Sequence, residues 1–188
     1  MKKTLPLLFL LLIANGKILA APYITIGDLK LFKAYSPESP VQLREYLPVG
    51  ETFNHWNRLA SVRVFKDQKD PKKYLDTLGQ QVVHSSPAAR AQLLKNDKTQ
   101  SLVLDFMTFS LANPKQQFAE WNLMRAKYVK GQGLVVYQYA VRYYTIDKNM
   151  PAAVIAERNK MVTPFAEASF EEKEDTVSAS SGTTASNP

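Results

Sequence analysis

The feature that most constrains the fold of this chain is a pair of long alternating segments, FAEWNLMRAKYV and LVVYQYAVRYYT, joined by the tetrapeptide KGQG. A hydrophobic period of two is typical of β-strands, and the two glycines of the tetrapeptide favour a hairpin turn that needs positive φ. One parity of the second segment is apolar or aromatic: Val135, Tyr137, Tyr139, Val141 and Tyr143. We therefore predict a β-hairpin with that face under a helix and a more polar face opposite.

Other alternating segments predict further strands, which lie at 23–32, 41–47, 57–65 and 101–110. Asp70 followed by Pro71 is typical of a helix start, because aspartate caps the helix and proline suits its first position. Ser86 and Pro87 repeat that signal and predict a shorter helix ending near Asn96.

The second long helix is predicted to begin at Met150 and Pro151. Its inward-facing residues at helical spacing are Val154, Arg158, Met161, Val162 and Phe165. The resulting order is βββ-α-βββ-α, which predicts a single-domain α+β protein with an antiparallel β-sheet of about six strands and packed helices.

This element order resembles the Mog1/PsbP-like fold, which includes the periplasmic DcrB group and PsbP. The stretch EYLPVGE…NHW is also similar to segments of small, uncharacterised secreted proteins of gamma-proteobacteria. The resemblance covers residues 23–170 in element order and only the short stretch at the level of residues. It implies an accessory or binding role, and it supplies no catalytic residue that can be transferred to this chain.

The first 20 residues have the parts of a secretory signal peptide. Lys2 and Lys3 precede an apolar run at 6–13, and small residues surround a cleavage site after Ala20. The run is much shorter than the roughly 20 residues that span a bilayer. A buried N-terminal helix is the alternative, but it does not account for the two lysines. We predict that residues 1–20 are a signal peptide and that the protein is exported, either periplasmic or secreted.

The remaining chain is predicted to form one domain at 21–170 and a tail at 171–188. The chain has no cysteine, so the domain has to be stabilised by packing without disulfides. The tail begins with the acidic sequence EEKED and continues in small polar residues, a composition that predicts disorder.

The predicted domain and the two ends of the chain differ in net charge. The whole chain has a formal net charge of +7, its first 20 residues hold three lysines, and the tail has a net charge of −3, so the predicted domain also carries +7. A basic domain favours anionic partners, although lysines scattered over a solvated face explain the same charge. No nucleic-acid-binding motif is present, and we predict no nucleic acid partner.

The chemically richest stretch is 45–59, EYLPVGETFNHWNRL. A ligand-contacting rim in it would consist of Glu45, Tyr46, Glu51, His55 and Trp56. The alternatives are an acid/base site, for which the side chains would have to converge on a substrate, and a structural corner in which Glu51 accepts backbone N–H groups and Trp56 anchors the core. The corner explains more of these residues, and no metal ligand set, cofactor motif or catalytic motif is recognisable.

These features are consistent with three functional hypotheses. The first is an exported, non-catalytic binding or accessory protein of the bacterial envelope that does not span the membrane. The second is a secreted effector or virulence-associated protein, for which the acidic tail is the only indication. The third is a hydrolase that combines a histidine with a carboxylate. The sequence does not identify the partner. The candidates are an anionic surface, another envelope protein and a host protein.

Overall fold

A computed structural model of the chain describes residues 13–14, 17–19, 21–35, 42–111, 117–174 and 176–177. In chain order the elements are β1 (Ile13–Ala14), β2 (Lys17–Leu19), β3 (Tyr23–Ile26), β4 (Leu29–Tyr35), β5 (Gln42–Leu47), β6 (Arg58–Phe65), α1 (Pro71–Ser85), β7 (Arg90–Lys95), β8 (Leu102–Ser110), β9 (Phe118–Val129), β10 (Gly133–Tyr143), α2 (Met150–Glu167) and β11 (Thr176–Val177). No helix in these ranges is long and apolar enough to cross a membrane.

Eight strands form the main sheet in the order β3-β4-β5-β6-β10-β9-β8-β7, and every neighbouring pair is antiparallel. The chain therefore consists of two successive units, each a four-stranded meander followed by a helix: β3–β6 with α1, and β7–β10 with α2. The last strands of the two meanders, β6 and β10, pair at the centre of the sheet. The predicted class, one antiparallel sheet with helices, is confirmed. The prediction of about six strands is wrong, because the sheet has eight.

The two extra strands have identifiable causes. Residues 23–32, predicted as one strand, form the β3–β4 hairpin, because Gly27 adopts φ +57° and reverses the chain. The helix predicted after Ser86 and Pro87 is wrong, since these residues form a turn in which Ala89 N–H donates to Ser86 O at 3.0 Å. The following residues then pair with β8 as strand β7.

The long hairpin is confirmed as strands β9 and β10, which pair from Gly133 with Val129 to Tyr143 with Ala119. Gly131 and Gly133 have φ values of +84° and +103°. A Cβ at Gly133 would lie 2.4 Å from Phe65 O, so this position also needs glycine for the close approach of β6.

The two helices cover opposite faces of the sheet, and β10 is buried on both. The α2 face holds the larger core, which includes Ile24, Val62, Leu123, Tyr139 and Phe165. Helix α1 covers a second core on the other face, which includes Leu75, Leu104, Met124, Leu134 and Val136. The predicted start of α1 is confirmed, since Asp70 Oδ1 accepts a hydrogen bond from Lys73 N–H at 2.9 Å.

Asp105 of β8 fixes α2 on its face. This carboxylate is 5% exposed. It accepts hydrogen bonds from Trp121 Nε1 at 2.7 Å, Gln92 Nε2 at 2.9 Å and Arg158 Nε at 2.5 Å. A buried charge is stable only when it is paired and hydrogen-bonded, so this network links β7, β8, β9 and α2.

A second carboxylate, that of Glu157 on α2, contacts the other half of the sheet. Glu157 accepts hydrogen bonds from Arg58 of β6 at 3.0 and 3.1 Å and from Tyr139 Oη of β10 at 2.6 Å. Burial alone would raise the pKa of Glu157, but these hydrogen bonds lower it below the ordinary value. Helix α2 is thus held to the sheet by one acidic and one basic side chain that are adjacent in sequence.

The ordered contacts continue past the predicted end of the domain at residue 170. Phe170 is buried and adopts φ +59°. Glu172 accepts hydrogen bonds from Tyr46 Oη at 2.7 Å and Lys33 Nζ at 3.3 Å, and Lys173 pairs with Tyr23 through two backbone hydrogen bonds. The acidic start of the predicted tail therefore packs on the sheet, and residues 178–188 lie outside the described ranges.

Most of the predicted signal peptide, 1–12, 15–16 and 20, also lies outside the described residues. The backbone of β2 pairs with β1 and β11 in a small three-stranded sheet.

We expect Asp105→Ala to lower the free energy of unfolding by about 3 to 5 kcal/mol, because it leaves Arg158 and Trp121 Nε1 without their buried acceptor. Asp76→Ala is the matched control, since Asp76 pairs with Lys72 on the exposed surface of α1 at 2.5 Å and exposed pairs contribute little. Urea unfolding measures both, and equal shifts of the two midpoints would contradict the role given to Asp105.

We expect the stability contributed by Glu172 to depend on pH. Burial alone would raise its pKa, but the hydrogen bonds from Tyr46 and Lys33 lower it below the ordinary 4.5. A carboxylate with a lowered folded pKa stabilises the fold above its unfolded pKa and loses that effect as the pH falls through the folded value.

Glu172→Gln should therefore cost about 1 kcal/mol at pH 7, a value reduced for solvent screening. The difference from the unsubstituted protein should shrink toward zero as the pH falls below 4.5 and through the lowered folded pKa. Glu171→Gln is the control, because Glu171 is exposed. A pH-independent difference for Glu172→Gln in urea unfolding would show that its charge is unimportant.

Candidate functional site

The residues Pro48 to Asn57, which connect β5 to β6, form a compact corner at one end of the sheet. Glu51 N–H donates to Pro48 O at 3.3 Å across a turn in which Gly50 has φ +84°. Thr52 and His55 then exchange backbone hydrogen bonds at 3.2 and 3.0 Å. Two consecutive turns therefore reverse the chain within ten residues.

The Glu51 carboxylate closes the corner. Its Oε2 accepts hydrogen bonds from the backbone N–H groups of Asn57 at 2.7 Å and Arg58 at 3.0 Å. This confirms the expectation that Glu51 accepts backbone N–H groups. One oxygen of this carboxylate is therefore engaged in positioning the start of β6.

Trp56 lies under the corner as a core residue, with 6% of its surface exposed, and it packs with Leu47, Leu59 and Ala140. Its backbone is held on both sides by Tyr144, whose Oη accepts from Trp56 N–H at 3.1 Å and donates to Trp56 O at 2.9 Å. The indole is thus fixed by packing and its backbone by the phenol of Tyr144, the residue that directly follows β10.

Arg142 completes the framework beneath the corner. Its guanidinium lies 4.0 Å from the ring centroid of Trp56 and 4.1 Å from that of Phe118, and it donates to Glu120 Oε2 at 3.0 and 3.3 Å. A guanidinium against two aromatic faces gains cation–π energy, and the carboxylate balances its charge. The stack joins the corner to the β9–β10 hairpin.

Two pairs of aromatic rings lie on the outside of this framework. His55 stacks on Tyr144 with ring centroids 4.5 Å apart and an interplanar angle of 15°, and Tyr35 meets Phe53 edge-on at 5.8 Å. His55 is exposed, and Tyr35, Phe53 and Tyr144 are 46%, 41% and 37% exposed. We call these four residues the corner surface.

The structure separates the five residues of the predicted rim. Glu51, His55 and Trp56 share the corner, but Glu45 and Tyr46 are consecutive in β5 and lie on opposite faces of the sheet. Glu45 is opposite Ser61 on the α1 face, where burial raises its pKa and Arg63 opposes the rise. Tyr46 is fully buried on the α2 face, and burial together with its hydrogen bond to Glu172 raises its pKa.

The sequence did not reveal five distant residues of the framework and the surface: Tyr35, Phe118, Glu120, Arg142 and Tyr144. They reach the corner only through the strand order β4-β5-β6-β10-β9. Phe53 lies within the stretch 45–59 but was not part of the predicted rim. The sequence did contain a relevant pattern. Arg142 in β10 and Tyr144, which directly follows it, belong to the alternating set of residues that faces away from α2. The strand that pairs with β6 could not be identified from that pattern.

The corner exposes aromatic rings. Its two carboxylates make structural contacts, Glu51 with backbone N–H groups and Glu120 with Arg142. Within the described ranges no group of three or more histidine, aspartate or glutamate side chains could hold a metal ion.

The fold and this site define a single-sheet antiparallel α+β domain with an aromatic surface at one corner. A model of an uncharacterised protein family matches residues 20–170, and the chain belongs to that family. No curated protein and no solved structure gives a significant match to the chain.

We expect Trp56→Ala to lower the free energy of unfolding by about 3 to 5 kcal/mol, as aromatic truncations in cores do. His55→Ala should lower it by under about 1 kcal/mol, since the imidazole is exposed and stacks on the Tyr144 ring face. Urea unfolding of the two variants gives the comparison. A nearly neutral Trp56→Ala would contradict the core position of the indole.

Proposed function

We propose that the protein is an exported, non-catalytic binding protein of the bacterial envelope and that the corner surface contacts another envelope protein. The observation that carries the proposal is the exposure of two aromatic ring pairs, one of which, His55 on Tyr144, rests on a hydrogen-bonded support. Tyrosine and phenylalanine are enriched in protein–protein interfaces, where large rings contribute contact area at a small cost in side-chain entropy.

The rigid support makes the surface suitable for binding. Tyr144 is fixed by two hydrogen bonds to the Trp56 backbone, and Trp56 is fixed by Arg142. Binding costs less free energy when the contacting side chains are already ordered. The hydrogen bonds that Glu51 Oε2 accepts at the start of β6 support a structural role for this carboxylate over proton transfer.

Export is supported by the N-terminal sequence, in which two lysines, an apolar run and small residues precede Ala21. The family match begins at residue 20, next to the proposed cleavage site. We propose that residues 1–20 are removed and that the mature protein acts in the periplasm. The runner-up is a secreted protein that acts outside the cell.

Site-specific photo-crosslinking in the source bacterium tests this function. A photoreactive residue at Phe53 reports on the corner surface, and one at Tyr128, which is 46% exposed on the last residues of β9, is the matched control. We expect the Phe53 variant to form one crosslinked protein product and the Tyr128 variant to form none. The product should weaken with the additional substitution His55→Ala, which removes a neighbouring ring while leaving the fold intact.

Fractionation of the same cells tests the location. A mature N-terminus at Ala21 in the periplasmic fraction is expected, and accumulation in the culture supernatant would favour the secreted alternative. Equal crosslinking from Phe53 and Tyr128, or none from either, would contradict a binding role for the corner surface.

A further inference from the structure

A cavity of about 430 Å³ lies between the first turn of α1, the β7–β8 turn and the parts of β9 and β10 farthest from the corner. Its volume falls within the range of small-molecule sites, roughly 300 to 1,000 Å³. The cavity and the corner surface lie at opposite ends of the β9–β10 hairpin, so a ligand of the cavity would be independent of the function proposed for the corner.

The charge of the cavity wall is one-sided. Lys72, Arg125 and Lys127 line it, and none of its lining residues is acidic. A second cavity of about 650 Å³ beside α1 does not have a one-sided charge, because its wall combines two lysines with two aspartates. The Lys72 ammonium also pairs with Asp76 outside the wall, which leaves Arg125 and Lys127 as the cations of greatest interest.

Arg125 is a largely desolvated cation that contacts no carboxylate among the described residues. Its guanidinium donates to the carbonyl oxygens of Ala166, at 2.9 Å, and Ala168, while its Nε is buried without an acceptor. Burial lowers the pKa of Arg125. Buried charges in proteins are normally paired, and the end of α2 supplies only about half a negative charge.

Lys127 adds a second positive charge near the mouth of the cavity. Its side chain is exposed, its Nζ lies 5.4 Å from the ring centroid of Tyr137, and it has no acidic partner among the described residues. The two cations come from alternate positions of β9, so they lie on the same face of that strand.

The remaining wall offers hydrogen-bond donors and apolar surface. Thr99 Oγ1 and Ser101 Oγ are 2.7 Å apart and share one hydrogen bond, so one of the two hydroxyl hydrogens stays available to a ligand. Leu102, which is partly exposed, provides apolar surface beside the edge of Tyr137, whereas Leu75 in the same wall is fully buried. This combination suits a ligand with an anionic oxygen group at one end and an apolar or aromatic group at the other.

We infer that this cavity binds a small organic anion, a phosphate or carboxylate attached to an apolar or aromatic group. The anionic oxygens lie between Lys127 and Arg125 and accept a hydrogen bond from the Thr99–Ser101 pair. The apolar part packs on Tyr137 and Leu102. The ligand supplies the negative charge that the described protein residues do not supply to Arg125.

Titration of the whole protein with phenyl phosphate, followed by backbone amide NMR, tests the inference. We expect saturable shifts at Gln100, Ser101 and Ala126, and no such shifts with the neutral analogue benzyl alcohol. Lys127→Gln removes a wall charge and should weaken binding by about tenfold, which corresponds to about 1.4 kcal/mol.

Lys130→Gln is the matched control. Lys130 is exposed on the same hairpin, three residues from Lys127, but does not line the cavity. Removing its charge should change the affinity by less than about twofold, because an exposed charge outside the wall is screened. Equal weakening by the two substitutions would show non-specific attraction to a basic protein and would overturn the inference.

Lipid headgroups carry the same anionic chemistry, and a second arm distinguishes the source. Vesicles of phosphatidylcholine mixed with phosphatidylglycerol are sedimented with the protein and with its Lys127→Gln variant. Sedimentation that phenyl phosphate inhibits identifies a headgroup as the source, and binding of phenyl phosphate alone identifies a free anion. Absence of binding to both probes would overturn the inference.

Discussion

Asp105 determines how the two layers of this domain fit together. Taking an ionised carboxylate out of water is costly unless several donors satisfy it, and Asp105 receives donors from β7, β9 and α2. Arg158 can reach it only when α2 lies across the sheet in one position. That position places Glu157 on Arg58 and Tyr139 and brings the residues after α2 to the sheet edge at Tyr23.

The β9–β10 hairpin connects this framework with both surfaces that we consider functional. At one end Phe118 and Arg142 support the corner, and at the other Arg125 and Lys127 line the cavity. Because β10 is buried on both faces, the hairpin is the most constrained part of the sheet. The hairpin backbone therefore gives the residues of both surfaces fixed points of attachment, as binding surfaces require.

Local signals predicted the parts of the fold that depend on neighbouring residues. The hairpin turn followed from its two glycines, and the start of α1 followed from Asp70 and Pro71. The Ser86–Pro87 signal was wrong because the turn it forms leads into a strand that β8 pairs with. Pairing across the sheet outweighed a local cap, as tertiary context commonly outweighs propensity.

In the candidate site, as in the fold, the sequence predicted the residues that act on near neighbours in the chain. Glu51 and Trp56 could be placed because a turn carboxylate and an indole entering a strand act within a few residues. Tyr46 was grouped with the rim through its proximity in sequence, whereas consecutive strand residues face opposite ways. Arg142 and Tyr144 reach the corner from about 90 residues away, and their contribution depends on the pairing of β10 with β6.

The two arginines of the β9–β10 hairpin differ in how their positive charge is balanced. Both guanidinium groups lie against aromatic rings, Arg142 between Trp56 and Phe118 and Arg125 beside Tyr137. Arg142 is neutralised by Glu120, and its stack is complete.

Arg125 has the same kind of rings but only backbone carbonyls as hydrogen-bond acceptors. An aromatic face stabilises a cation through its quadrupole and supplies no net negative charge. Because the described part of the domain gives Arg125 no carboxylate, an anion bound in the adjacent cavity would complete its environment as Glu120 completes that of Arg142.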